Sequence, residues 1–160
     1  MSKSLKRVKQ AAENLGLIIE VVETDGQART AALAAEQVGV EVDQIAKSII
    51  FRAADSGEAV LFLTAGGNQV DAVKASALAG EPLGKADADL IRAQTGFAIG
   101  GVAPIGHLNP IRAWIDPLLL QFELIWAAAG TPRHVFSVSP NDLLRVTKAT
   151  VAEFTSDTAP

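Results

Sequence analysis

Lys47 opens the apolar run "QIAKSIIF", where a cation must either reach water or point into a cleft. An ammonium buried without a partner is costly, so buried lysines are rare. One aimed into a cleft would present its positive charge there. "GFAIGGVAPIGH", residues 96–107, is uncharged and rich in glycine. Glycine costs backbone entropy on folding and packs little. Either the backbone bends there or something comes close to it. His134 heads the apolar run "HVFSV" and is read as a partly buried packing residue. His107 is read as a surface residue. The double glycine in "TAGGNQVD" is read as a tight strand-to-helix turn or a phosphate cradle.

Other chemistries are excluded by absence. The chain has no cysteine, which removes disulfides, thiolate nucleophiles and cysteine zinc sites. Its two histidines form no H-x-x-x-H pair, so no metal is expected. G-x-S-x-G, G-x-x-x-x-G-K-[ST] and G-x-G-x-x-G are all missing, which leaves no serine-hydrolase elbow, P-loop or dinucleotide fingerprint. No cofactor is expected either.

The elements that must position these residues follow from local patterning. "SLKRVKQAAENLG" predicts a helix capped by Ser4, with Leu5, Val8, Ala11, Ala12 and Leu15 as its apolar stripe and Gly16 at its end. Lys3, Lys6 and Arg7 then share one side, with Lys9 close by, and read as a solvated face. "LIIEVVE" reads as a buried strand. "TAALAAEQVGV" reads as a helix with Thr30 as N-cap and Gly39 at its end. Two strands flank Asp55-Ser56-Gly57, a hairpin signal. "VDAVKASALAG" and "DADLIRAQTG" each run from Asp to Gly as short helices. "IRAWI", "FELIWAAAG", "HVFSVS" and "TVAEFT" read as strands. "SPNDLLRV" reads as a helix with Pro140 in its first turn. This order predicts one α/β (α+β) domain, a mixed and largely antiparallel sheet surrounded by helices. The domain is expected over 1–155, with 156–160 as a flexible tail.

The net charge of −4, from 18 acidic against 14 basic residues, argues against a long nucleic-acid footprint, which needs a basic face. DNA is not expected as a partner. No stretch approaches the roughly 20 apolar residues of a spanning helix, so the expected location is the cytoplasm, without membrane contact.

These pieces occur in register with a known family. "TAALAAEQVGV", "QIAKSIIF", "AVLFLTAGG", "TGFAIGGVAPIG" and "AAAGTPRHVFSVSPNDL" together resemble the YbaK/ProX family, free-standing relatives of the editing domain of bacterial prolyl-tRNA synthetases. The resemblance places the family's lysine on Lys47 and its G-x-x-x-P loop on Gly100, Gly101, Val102, Ala103 and Pro104. Its late turn and helix start fall on Ala129, Gly130, Ser139, Pro140, Asp142 and Leu143. It implies a trans-editing deacylase that hydrolyses the ester between a small, wrong amino acid and the 3′ end of a tRNA, with tRNA-Pro favoured. The catalytic set is then Lys47, as an electrostatic clamp on the terminal phosphate or the ester oxygens, with Gly100 and Gly101. Thr30, Ser48, Val102, Ala103, Pro104 and His134 are the substrate-binding set. The glycines would let backbone groups approach the acyl group and stabilise its oxyanion, while the tRNA's own ribose hydroxyl orients the water. The implied partners are the aminoacyl-tRNA 3′ end and an aminoacyl-tRNA synthetase that delivers it. Ser48 stands where the alanine-editing branch carries asparagine, so the resemblance places the reaction and not the amino acid. A non-catalytic module binding an aminoacyl-nucleotide is the alternative, and Lys47 discriminates, since a pure binder has less need of a cation at the ester.

Overall fold

The computed structural model describes residues 2–26 and 30–157. Among the described residues, five α-helices and eight strands form an α+β fold. The helices are α1 (Lys3–Asn14), α2 (Ala31–Val38), α3 (Ala72–Ala79), α4 (Ala88–Thr95) and α5 (Pro140–Thr147). The strands are β1 (Glu20–Glu23), β2 (Ala46–Ala53), β3 (Ala59–Ala65), β4 (Leu83–Lys85), β5 (Arg112–Ile115), β6 (Ile125–Ala128), β7 (His134–Val138) and β8 (Thr150–Val151). Short 3-10 turns span Val42–Gln44 and Pro117–Gln121.

The helix starts follow from their caps. Thr30, Asp71 and Asp87 each accept from a backbone N–H of the first turn, which otherwise has no partner. Ser2, and not Ser4, caps α1, because the first turn starts two residues earlier and Ser2 accepts from Leu5 N–H. The strands divide between two sheets. β1-β7-β6 is antiparallel, and β4-β2-β3-β5-β8 is mixed, with β5 parallel to both neighbours. β3 lies at its centre and every one of its residues is buried. β1 is an edge strand and only half-buried, which corrects the buried strand expected there.

Three features position the site. β4 pairs only with Phe51, Arg52 and Ala53, so the first half of β2 keeps an edge with no strand partner in its own sheet. The two sheets meet there, at a single parallel bridge between Ile45 and Trp126. Finally, α1 lies under the loops of that region. A Cβ on Gly130 would sit 2.8 Å from the Ser4 carbonyl oxygen. The Arg7 guanidinium lies 4.3 Å over the Phe97 ring, and its Nε donates to the Gly106 carbonyl at 3.0 Å. Arg7 therefore leaves the solvated face read from the sequence and pins the glycine-rich loop.

Of the expected tail, Ser156 donates its backbone N–H to Gln69, and Asp157 pairs with Lys74 at 3.0 Å. Residues 158–160 lie outside the described residues.

Candidate functional site

A cleft of about 740 Å³ opens along the unpaired edge of β2, between the two sheets. Thr30, Lys47, Ser48, Gly100, Val102 and His134 line it, as do Gly66, Gly67, Trp126 and Thr131. The tertiary fold thus brings together residues spread over more than a hundred positions.

Lys47 is half-buried, and its Nζ donates to the Asn68 carbonyl at 2.6 Å. Asn68 is in turn held by Asp116, whose Oδ2 accepts from Asn68 Nδ2 at 2.8 Å and from Ala65 N–H at 3.1 Å. Asp116 Oδ1 accepts from Leu118 N–H at 3.0 Å, and the residue is 2 % exposed. Burial pushes the Lys47 ammonium below the ordinary lysine value of 10.5, while the Asp116 and Asp43 carboxylates oppose that shift. The double glycine is the tight turn of the two readings given above. A Cβ on Gly66 would collide with the Val42 carbonyl, and Gly67 N–H donates to Asp43 Oδ1 at 2.8 Å. Asn68 and Asp116 were missed in the sequence. "IDP" carries a cap signal for Asp116, but nothing local ties it to a turn 48 residues away.

This wiring gives a pH prediction. If the Lys47 charge is required, catalysis above the base-driven background must fall on the alkaline side, starting below pH 10.5. Asp116→Asn removes a carboxylate that keeps the proton on, so the alkaline limb should move to lower pH. A pH–rate profile of the two proteins checks this. A limb that stays put would separate Asp116 from the charge on Lys47.

The opposite wall is built by a threonine. Thr131 Oγ1 accepts from the backbone N–H groups of Arg133 and His134, both at 3.1 Å. Its own proton must then go to His134 Nδ1, 2.7 Å away. In the neutral ring this leaves Nε2–H as the donor His134 can offer. Thr30 stands exposed at the rim, with its hydroxyl oxygen accepting from Leu33 N–H at 3.2 Å.

The glycine loop departs from expectation. Gly100 is exposed, lines the cleft and has φ +93°, a conformation that L side chains rarely adopt. Gly101 is buried against the other wall. A Cβ there would lie 2.8 Å from Thr131 Cα, and its N–H donates to the Ala98 carbonyl at 3.1 Å. The space left by its missing side chain is filled by Thr131, not open to a substrate. Ala103 is fully buried in the core. Pro104 lines a separate cavity of about 530 Å³, together with His107. The chain dives into the core at Val102, so the second half of the expected loop leaves the cleft. His107 is half-buried, against the surface position expected. Its Nε2–H donates to the Ala103 carbonyl at 2.7 Å, and burial pushes its pKa below 6.5.

Residues 25–146 match the aminoacyl-tRNA editing domain family. The protein YwhH of Bacillus subtilis (strain 168) is 29 % identical over 140 residues, covering 88 % of each chain. A solved structure described as a candidate trans-editing enzyme for prolyl tRNA synthetase is 45 % identical. It superposes with a TM-score of 0.91 over 98 % of this chain and 99 % of that one. The structure of the protein APE2540 is 26 % identical, with a TM-score of 0.85 over 94 % of this chain and 99 % of that one.

Proposed function

The chain belongs to the aminoacyl-tRNA editing domain family, and from that premise we propose that it is a trans-editing deacylase that frees a small, wrong amino acid from the 3′ end of a tRNA. The observation that carries this reading is the half-buried Lys47 ammonium in a cleft whose other described lining residues include no lysine, arginine, aspartate or glutamate. An aminoacyl ester is reactive already, so placing a water against its carbonyl can suffice. Water adds to the carbonyl carbon, the ester C–O bond breaks, and the 3′ oxygen leaves with a proton. Free amino acid and an uncharged tRNA result.

In this reading Lys47 faces the negative charge that develops on the ester oxygens or the terminal phosphate. Because Gly101 N–H is already bonded to Ala98, the backbone that faces the acyl group is that of Gly100. The Thr131–His134 pair closes the chamber against larger side chains. The 45 % identical relative makes tRNA-Pro the first tRNA to test, and hand-over from a synthetase is the delivery route that reading suggests.

A panel of misacylated tRNAs incubated with the purified protein is the direct experiment. Deacylation above the spontaneous rate for at least one small amino acid is expected. Tight binding of such a tRNA without hydrolysis would point instead to a non-catalytic aminoacyl-nucleotide module.

The footprint on tRNA should be short. Lys3, Lys6 and Lys9 are exposed on α1, which packs against Gly130 beside the cleft, but the chain carries a net charge of −4. The log–log salt slope of binding should lie roughly between −2 and −4, below that of proteins with six to ten phosphate contacts. Titrating salt against affinity for a non-hydrolysable aminoacyl-tRNA analogue and for its minihelix measures it. A steep slope on full-length tRNA that flattens on the minihelix would reveal an extended footprint and defeat this expectation.

A further inference from the structure

Two side-chain polar atoms are buried with no hydrogen-bond partner among the described residues, Ser48 Oγ and Trp126 Nε1. Both residues line the same cleft, and Trp126 is 8 % exposed. A buried N–H or O–H left unpaired costs about 1–3 kcal/mol, and such groups are few in folded proteins. Three other buried polar side chains among the described residues have partners. Thr64 donates to the Phe62 carbonyl, Thr95 to that of Ile91, and Asp116 accepts three donors. Among the described residues the deficit falls in the cleft, which is where a ligand can correct it.

The two atoms are distinct anchor points. Trp126 stands opposite Ile45 at the bridge between the sheets and packs with Ile45, Ala34 and Ala35. Ser48 lies three residues further along, so its side chain leaves the opposite face of the strand. Ala31, Ala34, Ala127 and Ala128, which also line the cleft, have no side-chain polar atom. The ester and ribose of a bound aminoacyl-tRNA must stay near the mouth, because the nucleic acid holds them there. What reaches the shielded atoms is the amino-acid side chain.

Resting on the deacylase reading above, we infer that the amino acid removed by this protein carries a small hydroxyl side chain, which pairs with Trp126 Nε1–H or with Ser48 Oγ. A hydroxyl can accept from the indole or donate to the serine oxygen, whereas a methyl group of the same size can do neither. A site built to hydrogen-bond a substrate hydroxyl rejects the analogue lacking it more strongly than an apolar pocket rejects a missing methylene.

The test compares near-isosteric esters on the same tRNA. Seryl- against 2-aminobutyryl-tRNA and threonyl- against valyl-tRNA differ by a hydroxyl in place of a methyl group. The wild-type protein should hydrolyse each hydroxyl ester at least about tenfold faster, by kcat/KM, than its partner, the scale of one unpaired group. Trp126→Phe and Ser48→Ala each delete one polar atom. At least one should bring the serine-to-2-aminobutyrate ratio toward unity by slowing the serine ester alone. Neither should lower the melting temperature by more than a packing change explains, since each removes an unpaired group.

The wild-type comparison needs no variant, so a Trp126→Phe protein that fails to fold does not decide the matter. Equal rates for the two members of each pair would overturn the inference and leave the deacylase reading intact. So would variants that slow both esters alike, which would assign these atoms to groups shared by all aminoacyl esters. No hydrolysis of any ester above the spontaneous rate would overturn the deacylase reading and this inference with it.

Discussion

Lys47→Ala is expected to slow deacylation by about 10²-fold or more, the scale of losing one preorganised electrostatic contact at a developing oxyanion. The fold should survive. The Lys47 side chain is only half-buried, and its one hydrogen bond is to the Asn68 carbonyl in an open cleft, where water can replace it. The turn itself is held by other groups, namely Asp116 on Asn68 and Asp43 on Gly67. The loss should therefore appear in single-turnover rate at saturating substrate, with a melting temperature near that of wild type. Lys47→Arg should not restore the rate. A planar guanidinium cannot occupy the position of a compact ammonium 2.6 Å from a carbonyl without moving the turn. A folded Lys47→Ala protein that works at near wild-type speed would end the clamp role.

The second large effect concerns Gly101→Val, and here the structure changes the reason. If Gly101 lets its backbone approach the acyl group, as the family resemblance implies, a valine there intrudes on substrate space with a smaller effect on melting temperature. In the fold, its Cβ would lie 2.8 Å, 2.9 Å and 3.0 Å from Thr131 Cα, C and N. All three are backbone atoms with no flexible end to swing away, so the loop and the turn must separate. Overpacking of this kind costs about 3 kcal/mol, which in a chain of this size is roughly 6–12 °C in melting temperature. Activity should fall with it, because Thr131 Oγ1 holds His134 and the local backbone through three hydrogen bonds. Gly100→Ala is the contrast. Its Cβ would meet only Pro132 Cγ at 4.0 Å, so the cost is that of φ +93° for an L residue, about 1–2 kcal/mol. Thermal melts of the two variants decide the matter. A Gly101→Val protein that melts like wild type would show that Thr131 yields without cost.

Much was legible because it is local. Capping residues and terminal glycines set the helices at Thr30–Gly39, Asp71–Gly80 and Asp87–Gly96, all found as expected. The hairpin around Asp55-Ser56-Gly57 joins β2 to β3 as read, since an apolar run on each side of a turn leaves few other pairings. The family, too, was readable from motifs kept in order. β4 was missed, because "LGK" is three residues long with a glycine at its centre and has no pattern of its own.

The amino-acid sequence by itself determined the helices, most of the strands, the fold class and the lysine at the head of β2, for these depend on neighbours a few residues away. Only the tertiary structure decided what surrounds that lysine. Asp116 reaches Asn68 and Ala65 across 48 and 51 residues. Gly101 is closed off by a turn 30 positions later. Whether Ser48 Oγ and Trp126 Nε1 find partners depends on how two sheets meet at one bridge. Periodicity specifies which face of an element is apolar, but hydrogen bonding depends on distances of about 3 Å between groups that the chain brings together only on folding.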